Sequence, residues 1–453
     1  VQGFFSRKTI LAASGSLDNR NDGPRCGECG LYKTCISAKM PYSGQGQQKI
    51  LIVPEAPGEE EDRQNKQLVG KIGQFTVGRL QALGYDLYRD FWIINAVNCR
   101  PPNNREPTDK EIACCRPHVQ KVIEELKPKA ILIMGAASAK SFFGTLFSDE
   151  SGINRWRNLC IPDRRYNSWL LPMYHPSAAA RAQKDPLFQA RYNLDLEQAL
   201  IWSNQTFPYR SPTEEDEQVQ ILTRFDDVMD LLFDILDEKP SYLCFDYETT
   251  GLKPYNVGHK IVSISCSFDE SEDVSYSFPL DYRHHFTSEQ VEEIKKKWVE
   301  ILLHNKIRKI AHNFKFENMW SINCLKMKEE IANRFWCTMD TAHILDDRPK
   351  HTGLKFQSYI KFGREPYDSD VGSHLKSGTK GGMNQIERIN LEDLLFYGGL
   401  DSLFAKKLFL HQFETLSKTQ PDHPDNRSMT YARSFFFAGA ESLMDMTETG
   451  VRS

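Results

Sequence analysis

The chain has 453 residues, 40% of them hydrophobic and 26% charged, with a formal net charge of −4; that length outgrows a single ordinary core, so two or three domains are expected. No apolar run approaches the roughly 20 residues of a membrane helix, so no helical membrane span is expected; the near-neutral total neither requires nor rules out nucleic acid, because a basic groove can hide inside it. Eleven cysteines, an odd number in a chain large enough to bury a core, argue against a disulfide framework and for metal ligation in a reducing, cytoplasmic compartment.

In chain order, an N-terminal extension over 1–25 leads into the cysteine pair of "CGECGLYKTC". From Lys49 to about Trp202, the apolar runs "KILIV", "FWIINAV", "AILIM" and "SWLLPMY" alternate with the helical patterns "GQFTVGRLQALG", "TDKEIACCRPHVQKVIEELKP" and "DPLFQARYNLDLEQALIW". This alternation predicts a mostly parallel sheet covered on both faces, an α/β domain over 26–202. The polar, Pro-punctuated, acidic stretch "SNQTFPYRSPTEEDEQ" (203–218) reads as a linker. A second α/β domain is expected over 219–417, with "SYLCFDYE" as a strand and "YDSDVGSHLKSGTKGGMN" as a Gly/Ser-rich, mobile loop. Residues 418–453 are helical in pattern, and no internal repeat is found.

The cysteine spacing points to a cluster. A zinc ribbon needs a second Cys-x-x-Cys, which is missing. One close pair plus two remote cysteines suits an iron–sulfur cluster that staples the start of a domain to its middle, with Cys26, Cys29, Cys99 and Cys115 as candidate ligands. Cys35 and Cys114 keep the ligand set open, and ordinary buried thiols are the alternative.

The second domain concentrates carboxylates. In "CFDYETTGL", Asp246 and Glu248 stand two apart on a strand and so share one face, with Phe245 and Tyr247 on the other. Two acids on one face repel unless a cation lies between them. "IAHNFKFENMW" adds Glu317, and "YGGLDSLF" places Tyr397 and Asp401 four apart, on one side of a helix. Four acids and a tyrosine from three segments meet the needs of a two-ion phosphodiester hydrolase. One ion activates the attacking water and the other stabilises the leaving oxygen, the pair standing about 3.5–4 Å apart.

The segments "DYETTGL", "HNFKFE" and "YGGLD", with "TGLKFQSYIKFG", resemble the three exonuclease motifs of the proofreading domain in DNA polymerase I-like (family A) enzymes, over about Gln218 to Ser417. The resemblance implies a ribonuclease H-like (DnaQ-like) fold with 3′–5′ exonuclease activity. Asp246, Glu248, Glu317 and Asp401 would bind two Mg²⁺ or Mn²⁺, and Tyr397 would position water. Leu252 would wedge against the terminal base, and Asn313 would contact the strand end. The second motif usually ends in Asp, so Glu317 extends the reach by one methylene.

"EAPGEEED", "CRPPNNREP" and "YHPSAAAR", read with the cysteines, resemble the family 4 uracil-DNA glycosylases, over about Cys26 to Trp202. That resemblance implies a three-layer α/β/α domain with a [4Fe–4S] cluster, and a pocket that accepts a base flipped out of DNA. His175 would steady charge on the departing ring, Asn95 would read the base's pairing edge, and Glu55 would lie near the breaking bond. Two pocket positions depart from the family. Pro54 replaces the Gly before Glu-Ala-Pro-Gly, and Gln67, Leu68, Val69 and Gly70 stand where Pro-Phe-Val-Gly supplies a stacking ring. The expectation is a retained fold that is structural or DNA-binding. Glu59 to Asp62 need no catalytic role, since acids at a helix start complement its dipole.

"AESLMDMTETGVRS" resembles the entrance to a family A polymerase domain. The leading expectation is therefore the N-terminal part of a phage-type replicative polymerase in the host cytoplasm. It would proofread single-stranded primer 3′ ends and partner a C-terminal polymerase domain or subunit. A stand-alone repair enzyme with active uracil excision and a non-catalytic DNA-binding platform are the alternatives.

Overall fold

The computed structural model describes residues 24–147, 152–268, 273–379, 381–418 and 432–439. Residues 1–23 of the expected extension and the polymerase-like "AESLMDMTETGVRS" lie outside the described residues. The chain divides into two compact units, one running to Pro212 and taking in Tyr359–Glu365, the other comprising Thr213–Ser358 and the chain from Pro366. Both are α/β. Among the described residues no helix is long and apolar enough to cross a membrane.

The first unit has a five-stranded sheet in the order β2-β1-β3-β5-β4, built from β1 Ile50–Val53, β2 Phe91–Ile93, β3 Ala130–Met134, β4 Ile161–Asp163 and β5 Ser168–Met173. The four predicted apolar runs form the parallel strands β1, β2, β3 and β5. β4, which carries no apolar run, joins as an antiparallel edge. Continuous burial along β1, β3 and β5 follows from helices on both faces. The helix Asp109–Leu126 begins with a capping box in which the Thr108 side chain accepts from the Glu111 amide and the Glu111 carboxylate accepts from the Thr108 amide. Asp185 caps the helix Pro186–Ser203 by accepting from the Leu187 and Phe188 amides.

The second unit has a six-stranded sheet in the order β11-β10-β7-β8-β9-β6. Its strands are β6 Val219–Ile221, β7 Tyr242–Thr249, β8 Ile261–Phe268, β9 Ser275–Pro279, β10 Arg308–Ala311 and β11 Arg334–Cys337. β7 is central, parallel to β10 and antiparallel to β8. Phe245 and Tyr247 pack with Trp298, Ile294 and Val228 in the main core, and the opposite face of β7 turns Asp246 and Glu248 toward the 28-residue helix Leu391–Lys418.

That helix sits close because both partners are small. A Cβ at Gly398 would touch Glu248 Cγ and the Ser265 and Ser277 hydroxyls at 3.6–3.7 Å, and one at Gly399 would come within 2.4 Å of Val219 Cγ1. The Gly-Gly pair of "YGGLD" thus lets the helix lie on a serine-lined stretch of β8 and β9. At the acidic end of the expected linker, Glu214–Gln218 forms a 3₁₀ turn whose buried Glu215 carboxylate faces Lys407 Nζ at 3.6 Å.

Candidate functional site

In the second unit, strand period and helix period bring acids from distant segments together. Asp246 and Glu248 come from β7, opposite Ser265 and Ser263 of β8 in register. Asp401 comes from the long helix, one turn after Tyr397. The ligand oxygens of Asp246, Glu248 and Asp401 all lie within 4.8 Å of one another. Glu317, in the first turn of the helix Phe314–Cys324, stands outside that trio. It is 2% exposed, and its Oε2 has no hydrogen-bond partner.

The electrostatics record the crowding. Burial, then the neighbouring Asp401, pushes the Asp246 carboxyl up to about 8, with Lys355 opposing. Burial and then Asp246 drive both Glu248 and Glu317 well above the ordinary carboxylate range. Burial, reinforced by Asp401 and Glu248, raises the Tyr397 phenol and keeps its hydroxyl protonated. Carboxylates forced together without enough positive charge, one with an orphaned oxygen, make a donor set of hard oxygens suited to Mg²⁺ or Mn²⁺.

The positive charge that is present comes from Lys355, which sequence reasoning passed over inside "TGLKFQSYIKFG". Its ammonium contacts both carboxylate oxygens of Asp401 and lies 4.3 Å from the centre of the Tyr397 ring and 4.8 Å from that of Tyr367. The Tyr367 hydroxyl donates to Asp401 Oδ1 at 2.6 Å. Of the residues assigned to the strand end, Leu252 is 75% exposed just beyond β7. Asn313 occupies the N-cap position of the helix Phe314–Cys324 without a side-chain cap bond.

In the first unit, Glu55 leaves β1 and lies across Gly135, where a Cβ would stand 2.5 Å from Glu55 Oε1; that oxygen accepts from the Ala137 amide at 3.1 Å. His175 caps the helix Pro176–Arg181, its Nδ1 accepting from the Ser177 amide at 3.2 Å. The ring proton is then placed on Nε2. Burial lowers the imidazole's pKa, against the pull of Glu55, so the ring is a neutral donor. Asn95 is 3% exposed, with its Nδ2 unpartnered. Of the two altered positions, Pro54 is buried and its carbonyl accepts from the Ala96 amide at 2.8 Å; in the second, Gln67 is fully buried and donates to the Pro41 carbonyl at 2.5 Å. Leu68 takes φ +53° and packs in the core with Ile52 and Leu80. All four acids have partners, Glu59 and Glu60 in exposed ion pairs with Arg63 and the other two with backbone amides. Asp62 accepts from the Ile36 and Ser37 amides, and Glu61 accepts from the Gly70 amide.

Cys26, Cys29, Cys99, Cys114 and Cys115 line one cleft, with Asn98, Lys39 and His118, around about 470 Å³ of non-protein space including open solvent. Cys35 lies beside Cys99. Burial raises the Cys99 thiol to about 12 and the Cys115 thiol to about 11. Backbone donors nevertheless aim at the sulfurs: Lys39 N at Cys99 Sγ, 3.3 Å, and Asn98 N at Cys115 Sγ, 3.4 Å. Thiols ringed by N–H donors suit thiolate ligands. Among the described residues the only His, Cys, Asp and Glu set with all ligand atoms within 4.8 Å is the carboxylate trio. Asn98 also links the cleft to the pocket, since its Oδ1 accepts from the Asn95 amide at 3.2 Å.

Residues 41–197 match the model of the uracil DNA glycosylase superfamily, and residues 219–411 match a 3′–5′ exonuclease family. A type-4 uracil-DNA glycosylase of Sulfurisphaera tokodaii is 34% identical over 157 residues, 34% of this chain and 70% of that protein. A DNA polymerase of Bacillus phage SP01 is 25% identical over 371 residues, 76% of this chain but only 38% of the polymerase. Among solved structures, Escherichia coli RNase D superimposes with a TM-score of 0.34 at 16% identity, over 52% of this chain and 51% of that one.

Proposed function

The chain belongs to the type-4 uracil-DNA glycosylase family through its first unit, and we propose that it serves a replicative DNA polymerase, with the second unit as its 3′–5′ proofreading exonuclease and the first as a cluster-bearing module that holds DNA. The observation that carries the exonuclease reading is the convergence of the Asp246, Glu248 and Asp401 oxygens within 4.8 Å. The polymerase context is supported by the phage relative, whose similarity over 76% of the chain is too long for either unit alone.

Asp246, Glu248, Glu317 and Asp401 would hold Mg²⁺ or Mn²⁺, which when bound activates water and neutralises charge on the leaving oxygen. Tyr397, kept protonated, orients the water through its hydroxyl. Leu252 and Asn313 fix the terminal nucleotide. The water oxygen bonds to phosphorus, the bond to the 3′ oxygen of the preceding sugar breaks, that oxygen takes a proton, and a nucleoside 5′-monophosphate leaves. With 5′-labelled single-stranded DNA and Mg²⁺, the protein is expected to shorten the strand one nucleotide at a time. Asp246→Ala with Glu248→Ala should abolish this, and retained metal-dependent shortening would remove the assignment.

In the first unit, Cys26, Cys29, Cys99 and Cys115 would hold a [4Fe–4S] cluster, a cross-link between the start and middle of the domain. We read its pocket as a DNA-holding site, because Leu68 is a core residue where a stacking ring would stand; such a ring is worth about 1–3 kcal/mol per base. Active uracil excision is the second reading. It is favoured by the unpartnered Asn95 Nδ2 and the neutral His175. Abasic-site formation on uracil-containing single-stranded DNA, lost in Asn95→Ala, would establish it over the first.

A further inference from the structure

The helix Pro186–Ser203 of the first unit is apolar on two sides. Its inner side, with Tyr192, Leu196, Ala199 and Leu200, packs in the core with Trp169, Leu171 and Met173 of β5. Its outer side carries Leu187, Leu194 and Ile201, which are 81%, 53% and 48% exposed. A helix with a single packing partner keeps its far side polar. Apolar residues on both sides call for two partners, and the described residues supply one.

The three outer residues stand seven apart, so they drift by only about 20° per step and form one line along the helix, about 21 Å long at 1.5 Å per residue. Between them lie Ala190 and Arg191, then Glu197 and Gln198. Ala190, Arg191 and Glu197 are exposed, and among the described residues neither of the two charges has an ion-pair partner.

This pattern complements itself. When a second copy lies antiparallel with Leu194 on the two-fold axis, Leu187 meets the partner's Ile201 and Arg191 meets the partner's Glu197, while Ala190 leaves room for the partner's Gln198. A parallel copy in register would set arginine against arginine and glutamate against glutamate. The charges therefore select the antiparallel pair. One charge of each sign also makes the face a poor match for a phosphate backbone, which needs a cationic surface.

We propose that this face joins two copies of the chain into a two-fold dimer through antiparallel Pro186–Ser203 helices. The inference is independent of both enzymatic readings.

The test is sedimentation equilibrium of the full chain, purified anaerobically, over about 1–300 µM. One helix pair covers less than the roughly 800 Å² per partner of a standard interface, so a dissociation constant of about 10–100 µM is expected. The wild-type mass should rise from that of one chain toward that of two across this range. Leu194→Glu, which sets two carboxylates face to face on the axis, should stay monomeric throughout. Arg191→Glu and Glu197→Arg should each weaken association about tenfold or more, and the two together should restore it. All three positions are exposed, so an unchanged unfolding midpoint in dilute solution is the folding control. A wild type that stays monomeric, or a dimer that Leu194→Glu leaves intact, would overturn the proposal and assign the stripe to a different protein. Association as weak in the double reversal as in the single variants would overturn the antiparallel register.

Discussion

Replacing Lys355 with Met tests how the carboxylate cluster is held together. The Lys355 and Asp401 side chains are 18% and 8% exposed, so the pair is mostly, but not wholly, shielded from water. Removing one partner of a buried pair costs about 3–5 kcal/mol, and two unit charges 4 Å apart attract by about 4 kcal/mol at an effective dielectric of 20. Discounted for the residual exposure, the loss should be about 2–3 kcal/mol. For a unit of this size that lowers the unfolding midpoint by roughly 5–10 °C. The assay is scanning calorimetry of metal-free protein at about pH 8.5, above the value of about 8 to which Asp246 is raised, so that this carboxyl is mostly ionised in the wild type. Millimolar Mg²⁺ should then raise the midpoint of Lys355→Met more than that of the wild type, because the ion supplies the charge the lysine no longer brings. Equal midpoints for the two proteins, each unmoved by Mg²⁺, would refute the claim that Lys355 neutralises this site.

Three further outcomes are expected. The metal-free protein should lose stability as pH rises from about 5 through about 8: Asp246 has a folded-state pKa raised to about 8, so the folded state holds a proton the unfolded chain has released. The loss should be small with Mg²⁺ present, and thermal midpoints across that range, with and without metal, check the sign. Gly399→Val should destabilise the second unit by about 1–3 kcal/mol or more, because even a Cβ there would come within 2.4 Å of Val219 Cγ1; urea denaturation measures this. Cys115→Ser should lower iron and sulfide content after anaerobic purification, and Asn98→Leu should weaken iron retention by removing a side-chain donor 3.6 Å from Cys115 Sγ. Cys160→Ser, outside the cleft, should leave the content unchanged.

Local periodicity made much of the architecture legible. Four apolar runs in the first unit announced the parallel strands, and period two placed Asp246 and Glu248 on the face opposite Phe245 and Tyr247. Tyr397 and Asp401 share a helix face because they are four apart. What was not legible depends on neighbours remote in sequence. β4 has only "IPD" and exists because the edge of β5 accepts it. Lys355, in "TGLKFQ", has the look of any surface helix residue, and its position against Asp401, 46 residues later, is a tertiary fact. Glu215 reads as part of a solvated acidic run, yet is buried opposite Lys407. Asn98 carries no motif of its own, and its link between Cys115 and Asn95 emerges only when the loop after β2 folds back.

The central claim is that four acids from three distant segments share divalent cations. Anomalous diffraction from crystals soaked in Mn²⁺ tests it most directly. The account expects two peaks among Asp246, Glu248, Glu317 and Asp401, with the Lys355 ammonium displaced from Asp401. A map with no peak there, or with Lys355 still seated on Asp401 at saturating Mn²⁺, would contradict it.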